Sequence, residues 1–209
     1  MRTPQQMTVD RALLVYLLHL AGSFGNAQDR SFESPQDRSF GNAQDRPHGL
    51  MSDVKLQQLA FLCELQLFDK RLKGFHFEFF RYAYGAFSKD LDNDLLSLRR
   101  KERVENFSLS EKAAEVLMLL EEAAKSDERN ARVIEIIQAV AGTYAPRDGD
   151  AVTKAVEAVE LILPDQLGQI AIRDVSFHST ILVPSRIEVD AEFTLPPATL
   201  TRLNAALGY

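Results

Sequence analysis

Tryptophan is absent from this chain of 209 residues, and Cys63 is its only cysteine. One thiol cannot close an internal disulfide, and its position inside an apolar stretch argues against a thiolate metal site. A reducing, cytoplasmic setting is the expectation. No unbroken apolar run approaches the ~20 residues that a membrane helix needs, so no membrane partner is expected. Arg2 and Arg11 beside the run Ala12 to Leu20 imitate a secretory leader, but the run is short and carries Tyr16 and His19, with Asp10 at its edge. Excess positive charge is also missing. The formal net charge of −6 excludes broad, sequence-independent nucleic-acid binding, which needs many Lys and Arg on one surface.

Catalytic signatures are equally scarce. There is no P-loop, no G-x-S-x-G and no dinucleotide fingerprint. His19, His48, His76 and His178 stand far apart, none at metal-ligand spacing, and Glu121-Glu122 and Asp127-Glu128 read as solvated helix faces. The expectation is a non-enzymatic protein with no cofactor and no metal.

What the chain does have is a hydrophobic content of 45%, enough to bury a core in one domain with an appendage. The pattern predicts a mainly α (α+β) fold: a helical domain over residues 8–142 and a small α/β appendage over 143–209. Asp10 is read as the cap of a first helix of about eleven residues ending near Gly22. Ser23 to Arg46 is three successive octets, the third identical to the first. Each holds one large apolar residue, Phe24, Phe32 or Phe40, too little to offset the entropy of ordering it, so 23–46 is expected to be an inserted loop.

Ser52 caps a second helix from Asp53 to about Phe68 that is apolar on most faces and therefore belongs in the core. Phe75, Phe77 and Phe79 recur at period two, and Tyr82 and Tyr84 are read as continuing one packed face of an extended segment. Gly85 breaks that run, and Ser88 caps a third helix from Lys89 to about Arg103. Val104 to Leu109 is a short strand or wing, and Ser110 caps a helix with the stripe Ala113, Val116, Leu117 and Leu120. This order is winged-helix-like. Helices follow over 127–142 and from Asp150 through Leu163. Thr180–Val183 and Ile187–Thr194, separated by Pro184-Ser185-Arg186, predict a hairpin, and a last helix runs from Pro197 to Leu207.

Lys55-Leu56-Gln57-Gln58-Leu59 followed by Tyr84-Gly85-Ala86-Phe87-Ser88 resembles the pattern of the Panacea (SocA-like) antitoxin domain, a family earlier described as phage-associated. That family typically has a second lysine where this chain has Gln58, and a proline where it has Ala86. The resemblance covers about residues 9 to 125. It implies an antitoxin that binds and neutralises a partner toxin, and it places the contact around Arg81, Tyr82, Tyr84, Gly85, Phe87 and Ser88, where exposed aromatic and Arg side chains would suit a protein interface. The alternative is a DNA-binding transcriptional regulator that sets Arg99, Arg100, Lys101 and Arg103 on phosphates from a winged-helix-like helix at 89–103. Against it, Lys89 to Arg103 holds five positive and four negative charges, with Asp90, Asp92 and Asp94 leading; that order also complements the helix dipole.

Overall fold

A computed structural model describes residues 2–29, 51–162 and 168–209. The fold is mainly helical with small sheets. The first helix, α1, spans Pro4–Asp29, so it starts six residues before Asp10 and runs on past Gly22. Its start is a capping box: the Thr3 hydroxyl accepts from the Gln6 amide at 3.2 Å, and the Gln6 side chain accepts from the Thr3 amide at 2.8 Å. Pro4 occupies the first helical position, where its missing N–H costs nothing. Asp10 is therefore no cap. It is fully buried in mid-helix. The expected loop over 23–46 is corrected for Ser23 to Asp29, which continue α1, with Phe24 packed against the core; residues 30–46 lie outside the described residues.

Helix α2, Asp53–Asp69, begins where the Ser52 hydroxyl accepts from the Lys55 amide at 3.1 Å. It is buried almost all round, through Leu56, Leu59, Phe61, Cys63 and Leu67. It packs with α1 and with α5, Glu128–Tyr144, to make the centre of the core. Between α2 and α3, Lys89–Arg100, lie β1, Leu72–Lys73, and the hairpin of β2, Phe79–Tyr82, and β3, Gly85–Phe87. Phe75, Phe77 and Phe79 are fully buried, and Phe79 meets Phe61 edge-on at 5.2 Å between centroids.

The inward face then continues through Arg81 and not, as the run of aromatics suggests, through Tyr82 and Tyr84. Alternation follows residue parity. Arg81 keeps the odd-numbered register and is 5% exposed, while Tyr82 and Tyr84 point outward at 44% and 62%.

After α3 come β4, Val104–Glu105, and β5, Ser108–Leu109, paired antiparallel across Asn106 and Phe107, both at positive φ. The Ser110 hydroxyl donates to the Glu102 carbonyl in place of capping, and α4, Ala114–Ser126, starts only after a 3-10 turn at Glu111–Ala113. Helix α6 is Gly149–Glu157, capped by Asp148 and not by Asp150, and it stops short of Leu163 because Glu160–Ile162 is a strand, β6, paired with β7, Gln169–Ala171.

The expected hairpin between 180–183 and 187–194 does not form. Pro184–Arg186 is a 3-10 turn that sends the two segments to different partners. β8, Thr180–Leu182, joins β2 antiparallel, and β9, Ala191–Glu192, joins β1 in parallel. Both strands thereby cover edges that the first half leaves open. The last helix, α7, Pro197–Leu207, stands where expected and buries Leu203 and Leu207. Among the described residues, no helix is long and apolar enough to cross a membrane.

Candidate functional site

The β2–β3 hairpin is held to α2 by two adjacent glutamines. Gln58 donates to the carbonyls of Tyr84 and Ala86 at 2.8 and 3.0 Å and accepts from the Ala86 amide at 3.2 Å. Gln57 donates to the Ser88 carbonyl at 3.1 Å and accepts from its amide at 2.8 Å. β3 is an edge strand, and these amides satisfy the groups that a further strand would otherwise take. The two sequence segments that carry the family resemblance are thus bonded directly to each other. Lys55 is wholly buried one turn earlier, its ammonium donating to the Ala145 carbonyl at 2.7 Å, and burial pulls its pKa down.

Gly85 adopts φ +96°, which side chains disfavour, and a Cβ there would lie 2.6 Å from the side-chain Oε1 of Gln58. The turn therefore needs glycine for both conformation and space. Ser88 is also buried; its hydroxyl accepts from the Leu91 amide and starts α3. Arg81 donates to the Tyr82 carbonyl and pairs with Glu157 at 3.2 Å. Of the six residues expected at a partner contact, Arg81, Gly85 and Ser88 are therefore internal supports. Tyr82 and Tyr84 are exposed, and Phe87 is half-buried beside Tyr82 at 5.3 Å between centroids.

The structure adds Phe177 and His178 to this face. Phe177 is 63% exposed with the Arg81 guanidinium 5.2 Å from its ring centre, and His178 meets Tyr82 edge-on at 5.4 Å. The His178 amide donates to the Arg81 carbonyl at 2.7 Å, anchoring this loop to the strand, with His178 at φ +65°. The result is an aromatic ridge built from two distant parts of the chain. Next to it is a cleft of about 150 Å³ between the hairpin, the start of α2 and Asp92 of α3.

The basic group at the end of α3 is largely engaged within the protein. Arg99 pairs with Asp53 at 3.0 Å and covers Phe107, and Arg103 donates to the carbonyls of Ala206 and Lys101. Lys101 lies over the Tyr209 ring, and Arg100 is exposed.

A buried ionic cluster lies elsewhere. Asp10 accepts from the His76 amide and Nδ1 at 3.0 and 2.8 Å and from Arg2 at 2.8 Å. Arg2 also donates to Asp94 at 2.6 Å, which Arg11 reaches at 2.7 Å, while His76 Nε2 meets Glu192 at 2.7 Å. The cluster ties the N-terminus to α1, α3 and β9. Burial pulls the His76 imidazole down, but the bonds to Asp10 and Glu192 outweigh that and set it at about 9. Burial pushes Asp10 up against the pull of His76 and Arg2. Nearby, burial holds Glu64 well above the usual carboxylate range; its Oε1 accepts from the Phe77 amide at 3.0 Å and its Oε2 has no partner among the described residues.

A raised folded-state pKa at His76 stabilises the fold fully below about pH 6.5 and is lost as pH climbs through 9. Urea unfolding should therefore show stability falling by about 3 kcal/mol between pH 6.5 and 9.5, and His76→Gln should flatten that slope. A slope that persists in His76→Gln would assign the loss to another group.

Compared with protein-family models, with curated proteins and with solved structures, the chain matches none. Phe177 and His178 reach this face through the pairing of β8 with β2, a long-range contact that no local sequence signal announces. The buried cluster leaves one sign in the sequence, the carboxylate of Asp10 at the head of the apolar run from Ala12, which needs a buried partner.

Proposed function

We propose that this protein is an antitoxin that binds and neutralises a partner toxin by direct contact through the Tyr82–Tyr84 face. The observation that carries the reading is an exposed aromatic ridge on a rigidly held turn. Two tyrosines and Phe177 project from backbone fixed by Gln57, Gln58 and the His178 anchor. Exposed aromatics on pre-ordered backbone bind at low entropic cost, the pattern found at interface hot spots. The resemblance in residues 55–59 and 84–88 names the class of partner.

Tyr82→Ala with Tyr84→Ala should abolish protection in cells co-expressing the partner toxin, sought first in the adjacent open reading frame, while the unfolding midpoint stays close to that of the parent. Each truncation of a hot-spot tyrosine is expected to cost about 2 kcal/mol or more of binding. Full protection by the folded double variant would remove this face from the contact.

A further inference from the structure

The cleft beside the ridge has a chemical character of its own. Val54, Ala86 and Phe87 line it together with Tyr82 and Tyr84, and its surface is almost wholly apolar. Its charged lining residues are Asp53 and Asp92, with no Lys or Arg among the residues that line it. Asp53 is paired with Arg99. Asp92 is exposed and has no ion pair among the described residues. Gln58 commits both N–H groups of its side-chain amide to the Tyr84 and Ala86 carbonyls, and Gln57 commits one of its two to the Ser88 carbonyl. An apolar slot with tyrosines and an unpaired carboxylate suits a long aliphatic stem ending in a cation: the stem covers the apolar lining, and the head is attracted by ring faces and by Asp92. At about 150 Å³ the space suits one long side chain and not a helix.

We propose that this cleft receives a single arginine or lysine side chain of the partner protein. The inference rests on reading this face as the partner's docking surface, and it specifies what the partner must present there. Arginine is also among the residues most enriched at energetic centres of interfaces.

The chain has five tyrosines, so 3-fluorotyrosine labelling gives a small set of fluorine resonances, assigned through Tyr82→Phe and Tyr84→Phe. Titration with N-acetyl-arginine amide or N-acetyl-lysine amide should move the Tyr82 and Tyr84 signals saturably and leave that of buried Tyr16 in place. N-acetyl-norleucine amide should need several-fold more ligand for the same shift. Asp92→Asn should weaken the arginine response roughly two- to fivefold, as expected for loss of an exposed ion pair. Equal responses to norleucine and arginine, no movement of Tyr82 and Tyr84, or indifference to Asp92→Asn would each overturn the proposal. The titration needs no toxin, so it separates the two ideas. Arginine preference without neutralisation keeps the cleft and removes the antitoxin reading, and neutralisation without arginine preference does the reverse.

Discussion

Asp10→Ala should lower the free energy of unfolding by about 3–5 kcal/mol, the cost of breaking a buried ion pair from one side. The carboxylate is fully buried and accepts three bonds, two from His76 and one from Arg2. Alanine leaves both cationic groups in place with nothing to replace that oxygen. Arg2 keeps Asp94 and His76 keeps Glu192, but His76 loses one of the two partners that together outweigh its burial, so its imidazole should titrate lower and its amide should lie unpaired. Because the cluster joins the N-terminus, α1, α3 and β9, the loss should appear as global destabilisation in urea. Glu102→Ala, which removes an exposed pairing with Lys112, should change the midpoint little. If both substitutions shifted the midpoint equally, the cluster would not be holding these elements together.

The second large effect is expected at Gly85. Gly85→Ala imposes a side chain on positive φ, which costs about 1–3 kcal/mol. It also places the new carbon 2.6 Å from the side-chain Oε1 of Gln58. That amide must then move and surrender its bonds to Tyr84 and Ala86. Gln58→Ala alone should also destabilise, since each unsatisfied group costs about 1–3 kcal/mol where water cannot reach it. Combined, the two should cost less than their sum, because once Gln58 is gone the added carbon displaces nothing. Strict additivity in a double-mutant cycle would show that the glycine is required for backbone conformation alone.

The sequence made the elements with strong end signals legible. Ser52 and Ser88 do cap α2 and α3, and Pro197 to Leu207 is the final helix. At α1 two signals competed. Thr3-Pro4-Gln5-Gln6 is a complete capping box, but Asp10 next to the apolar run looks like a later start, and the true reason for an acid there is tertiary. At the tail, β-branched alternation marked strands, but local pattern does not choose between a neighbouring strand and a distant open edge. The choice of β2 as the partner of β8 is what carries Phe177 and His178 to the ridge. Tyr82 and Tyr84 were legible as functional candidates through their turn, while the roles of Arg81 and Ser88 as supports depended on burial that their residue types do not announce.

Growth of cells expressing the open reading frame beside this gene, with and without this protein supplied from a second promoter, is the direct test of toxin neutralisation. The neighbour should arrest growth alone, the parent protein should restore it, and the folded Tyr82→Ala, Tyr84→Ala variant should not. A neighbour that is harmless alone, or whose toxicity this protein leaves unchanged, would contradict it.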